Sequence, residues 1–126
     1  VDLLAKVVEL EQDADAFGFR WETRDQIMAQ IESECLEIRE HLDVNDDSVN
    51  HHALEEEIGD LLHAVFSLCV YCQFDPKHTL QKALSKFERR LNAVKNSAHE
   101  QGIHHLNGYA FDELMRFWDA AKAQVG

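Results

Sequence analysis

Glu55-Glu56-Glu57-Ile58-Gly59-Asp60-Leu61-Leu62-His63-Ala64-Val65-Phe66 is the most telling stretch of the chain. Ile58, Leu61, Leu62, Val65 and Phe66 recur at intervals of three and four, the period of an α-helix that buries one face. Glu57 and Asp60 stand three residues apart within it, so their carboxylates share one helix flank. Glu34-Cys35-Leu36-Glu37 repeats that acidic spacing in a second helical segment upstream. Carboxylates gathered in this way repel one another unless cations sit between them. Hard oxygen ligands favour Mg²⁺ or Mn²⁺, ions that also hold phosphate oxygens. The pattern points to metal-assisted phosphate chemistry on a helical scaffold.

The rest of the chain supports an all-α fold. It has one proline, five glycines and almost no period-two alternation. A first helix is expected from Asp2 to Phe17, with Leu3, Val7, Leu10, Ala14 and Phe17 as its stripe. Gly18-Phe19-Arg20-Trp21 breaks it, and Thr23 with Gln26 forms a capping box for the second helix. That helix carries Ile27, Ile31, Cys35, Ile38 and Leu42 as its expected core stripe, followed by a polar loop from Asp43 to Ser48. The third helix is expected over Asn50 to Gln73. Asp75-Pro76 opens a fourth, with Leu80, Leu84, Phe87, Leu91 and Val94 on its stripe and Gly102 at its end. A short last helix runs from Phe111 to Val125. This is a four-helix-bundle-like pattern with a short C-terminal helix. Residues 1–126 contain no repeat or linker and are expected to form a single domain.

Composition narrows the partners. The formal net charge of −12 argues against non-specific nucleic-acid binding and against anionic membranes. An anionic ligand then needs bound cations and a few well-placed basic groups. Cys35, Cys69 and Cys72 are odd in number and fall in apolar helical stretches, so they are expected as buried free thiols in a reducing, cytoplasmic setting. No signal peptide or run long enough to span a membrane is present. A chain that starts at Val1 is expected to be a trimmed form or a piece of a longer protein.

Helical geometry sets where the charges point. At roughly 100° per residue, Glu34 and Glu37 fall roughly 60° and 120° to one side of Ile31. Glu57 and Asp60 take the corresponding flank of the third helix, and Lys86 and Arg90 the matching flank of the fourth. Two acidic pairs and one basic pair on one side argue against ordinary solvated boundary residues. Gly59, between Glu57 and Asp60, costs about 1 kcal/mol against alanine in mid-helix, which implies a close-packing or ligand reason. Trp21 and Trp118 are candidates to stack on a base, with Lys122 one turn from Trp118. The histidines are not read as ligands: His51-His52 and His104-His105 lie in or near loops, and His63 points away from the core. A di-iron carboxylate bundle needs paired E-x-x-H motifs, and only Asp60-x-x-His63 comes near one.

These residues resemble the MazG-type all-α nucleoside triphosphate pyrophosphohydrolases, whose signature is E-E-x-x-E followed at a distance by E-x-x-D. The likeness is nearest to the C-terminal domain of two-domain MazG proteins and to stand-alone relatives. Gly18-Phe19-Arg20-Trp21 resembles the G-F-x-W entry to the second helix, and Glu55 to Leu62 the E-E-L-G-D-L-L stretch. Lys86-Phe87-Glu88-Arg89-Arg90 resembles K-F-x-R-R, and Trp118 to Lys122 the terminal W-x-x-x-K.

The resemblance implies hydrolysis of a nucleoside triphosphate to monophosphate and pyrophosphate. It makes Glu34, Glu37, Glu57 and Asp60 the Mg²⁺ ligands, with Mn²⁺ as a substitute, and has Lys86 and Arg90 hold triphosphate oxygens. Trp118 and Lys122 would close on the nucleotide, and the assembly would be an intertwined homodimer or dimer of dimers. Metal ions lower the pKa of the attacking water and bridge attacking and leaving oxygens. Glu37 is the favoured residue to position or deprotonate that water. Ser33 replaces the first glutamate of the signature, and Ala53 stands where some relatives carry a basic residue. Both departures keep a second expectation open, a catalytically weak or silent module that binds nucleotides or a partner chain.

Overall fold

The computed structural model describes residues 2–43 and 51–126 of the chain. The helices are α1 (Leu3–Phe17), α2 (Arg24–Asp43), α3 (His51–Tyr71), α4 (Pro76–Glu100) and α5 (Phe111–Val125). No strand occurs among the described residues. Asp43 closes α2 rather than opening a loop. The rest of the expected Asp43–Ser48 loop, and the expected helix start at Asn50, lie outside the described residues. The chain forms two compact units, Val1–Thr79 and Leu80–Gly126.

In the first unit, α3 packs against both α1 and α2. The signals that bound its helices are local. Gly18 ends α1 with a left-handed φ of 95°, and the Gly18 and Phe19 amides donate back to Asp15 and Ala14. Thr23 Oγ1 accepts from the Gln26 amide at 3.3 Å while Gln26 Oε1 accepts from the Thr23 amide at 3.2 Å, completing the capping box of α2. The Trp21 indole N–H donates to Ser67 Oγ at 3.1 Å, and Ser67 donates to Glu11 Oε2 at 3.1 Å. Glu11 Oε1 lies 2.8 Å from His63 Nε2. This chain of polar contacts ties α1 and the turn after it to α3. Asp75 caps the following helix through the His78 amide, and Pro76, at the first helical position, is fully buried.

The helices stand where the caps place them, but their buried faces are rotated from the expected stripes. On α1 the inward residues are Leu4, Val7, Glu11 and Ala14, whereas Leu3, Leu10 and Phe17 are exposed, Phe17 at 91%. On α2 the inward row is Ile27, Ile31, Glu34, Ile38 and His41, with Cys35 and Leu42 exposed. On α3 it includes Glu57, Leu61, Ala64 and Ser67, with Ile58, Leu62 and Val65 outside. On α3 apolar residues occupy two adjoining rows, and the row rich in small and polar residues faces the chain's own core. Cys35 is exposed rather than buried, and Cys69 and Cys72 are half-buried; all three are free thiols.

The second unit contains the rest of α4 and all of α5. Ala93 and Ala98 on α4 and Ala121 on α5 are buried. The Phe87 and Trp118 rings meet at 5.8 Å between centroids, tilted by 46°. Leu80, Leu84 and Phe87, expected in the core stripe, are exposed, while Leu91 and Val94 are half-buried. Ala98 accepts from the amide of Ile103 past Gly102, whose φ of 76° ends α4 as expected. No helix among the described residues is long and apolar enough to cross a membrane.

Candidate metal centre

The inward row of α2 brings Glu34 against α3, where Glu57 occupies the equivalent row. Glu34, Glu37 and Glu57 each offer a carboxylate oxygen, and these three atoms lie within 4.8 Å of one another. Glu34 is only 7% exposed, Glu57 is half-buried and Glu37 is open to solvent. A buried carboxylate needs partners, because loss of hydration disfavours its charge. Glu34 Oε1 has one, the Gln30 side-chain amide at 2.8 Å. Its Oε2 has none, and neither does the buried Oε2 of Glu57.

The electrostatics follow from this crowding. Burial pushes the Glu34 carboxyl above its ordinary value of 4.5, and the charges of Glu37 and Asp60 push it further. Glu57 is also raised, first by its hydrogen bond with the Glu37 carboxyl and then by burial, with His41 acting in the opposite sense. Three close acidic groups with two unpartnered buried oxygens fit a hard divalent cation, which would accept those oxygens and relieve the repulsion. Asp60 is exposed and stands outside the three-residue cluster, yet its charge acts on Glu34.

The other residues picked out from sequence are placed as follows. Arg90 donates from Nε to the Gly126 carbonyl at 3.1 Å, and its guanidinium carbon lies 5.6 Å from the centroid of the Trp118 ring. Lys122 pairs with Asp119 one turn back, at 3.5 Å, and Lys86 is exposed. Trp21 spends its indole N–H on Ser67. Glu56 faces outward and pairs with His52 at 2.9 Å. Gly59 is exposed, and a methyl group there would meet nothing within 4 Å, so close packing inside this chain is not what the glycine provides.

One neighbour of the cluster was not singled out by its sequence. His41 Nε2 lies 3.4 Å from Glu57 Oε1, with both side chains half-buried. The signal was present in the spacing, since Glu34, Glu37 and His41 stand at i, i+3 and i+7 and share one helix face.

The sequence is similar to known proteins. Residues 22–95 match the model of the MazG nucleotide pyrophosphohydrolase domain, a span that contains α2, α3 and the three clustered carboxylates. The chain is 29% identical over 122 residues to the nucleoside triphosphate pyrophosphohydrolase/pyrophosphatase MazG of Thermotoga maritima, covering 97% of this chain and 45% of the relative. It is 27% identical over 121 residues to the nucleoside triphosphate pyrophosphohydrolase of Escherichia coli, covering 96% of this chain and 45% of that protein. A shorter match, 27% over 73 residues, joins 58% of this chain to 15% of the uncharacterized protein YabN of Bacillus subtilis. The chain thus spans less than half the length of these relatives. With the acidic cluster lying inside the matched span and the helices in the expected order, the chain belongs to the MazG nucleotide pyrophosphohydrolase domain family.

Proposed function

We propose that this chain is a domain that hydrolyses nucleoside triphosphates, NTP or dNTP, to the monophosphate and pyrophosphate, with Mg²⁺ as its cofactor and Mn²⁺ as a substitute. The observation that carries this reading is the meeting of Glu34, Glu37 and Glu57 with two buried, unpartnered oxygens. Glu34, Glu37, Glu57 and Asp60 hold the metal. When bound, the ion neutralises phosphate charge and lowers the pKa of the attacking water. Glu37, the member of the cluster open to solvent, positions that water or takes its proton. Lys86 and Arg90 bind phosphate oxygens and offset charge on the departing pyrophosphate. Trp118, Lys122 and Trp21 contact the nucleotide, with the Trp21 ring face as its stacking surface.

Residues 1–126 act as one functional domain in this reading, in the cytoplasm, in house-cleaning of the nucleotide pool. The exposed rows Leu3, Leu10 and Phe17 on α1 and Ile58, Leu62 and Val65 on α3 favour an intertwined homodimer or a dimer of dimers that completes a four-helix arrangement. The test is ³¹P NMR of the products formed from a triphosphate in Mg²⁺. Monophosphate with pyrophosphate supports the assignment. Diphosphate with orthophosphate contradicts it, and a folded protein that binds nucleotide without turnover favours the silent module suggested by Ser33 and Ala53.

A further inference from the structure

Glu34, the most buried of the clustered carboxylates, uses its two oxygens differently. Gln30 stands one turn earlier on α2, and its side-chain amide donates to Glu34 Oε1 at 2.8 Å. Oε2 of the same carboxylate is buried and has no partner. On a solvated helix face such a pair exchanges its bond readily for water. Here the acceptor is only 7% exposed, so that exchange is closed to it, whereas Gln30 itself is exposed. An exposed amide that reaches a buried carboxylate fixes the rotation of that carboxylate about its last bond. With Oε1 held by Gln30, Oε2 is the atom left for an ion. A buried oxygen without a partner, beside one that is satisfied, is what a ligand of one oxygen requires before its ion arrives.

We propose that Gln30 is a positioning residue of the metal centre: it holds Glu34 Oε1 so that Glu34 meets the ion through Oε2 alone, and it thereby favours Mg²⁺ over Ca²⁺. The proposal rests on the metal-dependent reading above and adds how the site chooses its ion. Ca²⁺ gathers about six to eight oxygens and often grips a carboxylate by both of them. Mg²⁺ demands a near-ideal octahedral shell, which suits single carboxylate oxygens with water in the remaining places. A two-oxygen grip on one ion requires the Glu34 carboxylate to turn out of its bond with Gln30. Gln30 therefore prepares the site for the smaller ion and withholds an oxygen from the larger one.

The experiment loads the wild-type chain and Gln30→Met with Mn²⁺, without nucleotide, and follows its displacement by Mg²⁺ or by Ca²⁺ through the EPR signal of the free ion. Methionine keeps the helix propensity of glutamine but brings no donor, and the exposed position lets the variant fold. A Mg²⁺-to-Ca²⁺ preference that falls about tenfold in Q30M, chiefly through weaker Mg²⁺ binding, supports the proposal. A merely structural role would weaken both ions alike. The same preference in both proteins therefore overturns the role of Gln30 and leaves the carboxylate site standing. A crystal structure of the wild type with Mn²⁺ decides the point without any variant. One Glu34 oxygen on the ion, with Gln30 still on the other, supports the proposal, and both oxygens on the ion overturn it. Failure of the wild type to bind any of the three ions overturns the metal-dependent reading and this proposal with it.

Discussion

Glu34 on α2 and Glu57 on α3 converge so that each keeps a buried Oε2 atom with no hydrogen-bond partner. Such an arrangement is costly for a metal-free protein, because desolvation and mutual repulsion both oppose the charged forms. It becomes favourable when a divalent ion supplies the missing partner. Under the proposed function, ion binding and stability are therefore linked at this pair.

The linkage has a sign. Glu34 and Glu57 both have folded values raised above the ordinary 4.5. In the unfolded chain they release their protons near 4.5, so the folded state holds the extra protons between 4.5 and the raised values. Their contribution destabilises the metal-free fold as pH rises through that window, and is fully felt above it. Melting curves in EDTA should show this contribution as a loss of stability with rising pH. It should be smaller in Glu34→Gln, which keeps the Gln30 hydrogen bond but carries no charge. Mg²⁺ should raise the wild-type Tm above that window and have little effect on Glu34→Gln. A metal-free pH dependence identical in the two proteins would contradict the assignment.

Ser67 is a joint between elements. It is 3% exposed, accepts from Trp21 and donates to Glu11. Ser67→Ala leaves the Trp21 N–H and a Glu11 oxygen without this partner, and should cost about 1–3 kcal/mol in urea unfolding. An unchanged midpoint would show that water takes over both bonds.

Gln73 ends α3 with a φ of 67°, a left-handed conformation that favours glycine. The Phe74 amide still donates to Cys69 at 2.8 Å, so the turn itself is well formed. Gln73→Gly should stabilise the fold by roughly 0.5–1 kcal/mol, since relief of strain exceeds the entropic cost of glycine. Differential scanning calorimetry measures the outcome, and a lower Tm would count against strain at this position.

Much of the fold was legible because its boundaries are set by short-range chemistry. The Thr23–Gln26 capping box, the left-handed Gly18 and the Asp75-Pro76 start all act within a few residues, and each lies where its pattern predicted. Helix α5 begins at Phe111 and ends at Val125 as expected. The buried face was less legible. Apolar residues occupy two neighbouring rows of α3, and periodicity cannot say which row meets its own chain. The row with Glu57, Ala64 and Ser67 does so, while Ile58, Leu62 and Val65 remain outside. Glu34 consequently sits inside the α2 stripe instead of beside it.

The candidate site was legible in part for the same reason. The i, i+3 spacing located Glu34, Glu37 and Glu57 from sequence, and the fold brings them together. The spacing puts His41 on the face of Glu34 and Glu37, but its contact with Glu57 also depends on how α2 and α3 are rotated about their axes, which local spacing does not fix.

The most direct test is pyrophosphate release from a panel of canonical and damaged NTPs and dNTPs, measured in Mg²⁺, in Mn²⁺ and in EDTA. Glu57→Ala would be assayed beside the wild type, with circular dichroism as the check on folding. Release that needs the metal, and falls by more than about 100-fold in the variant while the helices persist, is the result predicted for a direct metal ligand. Metal-dependent release undiminished in folded Glu57→Ala would contradict the central claim.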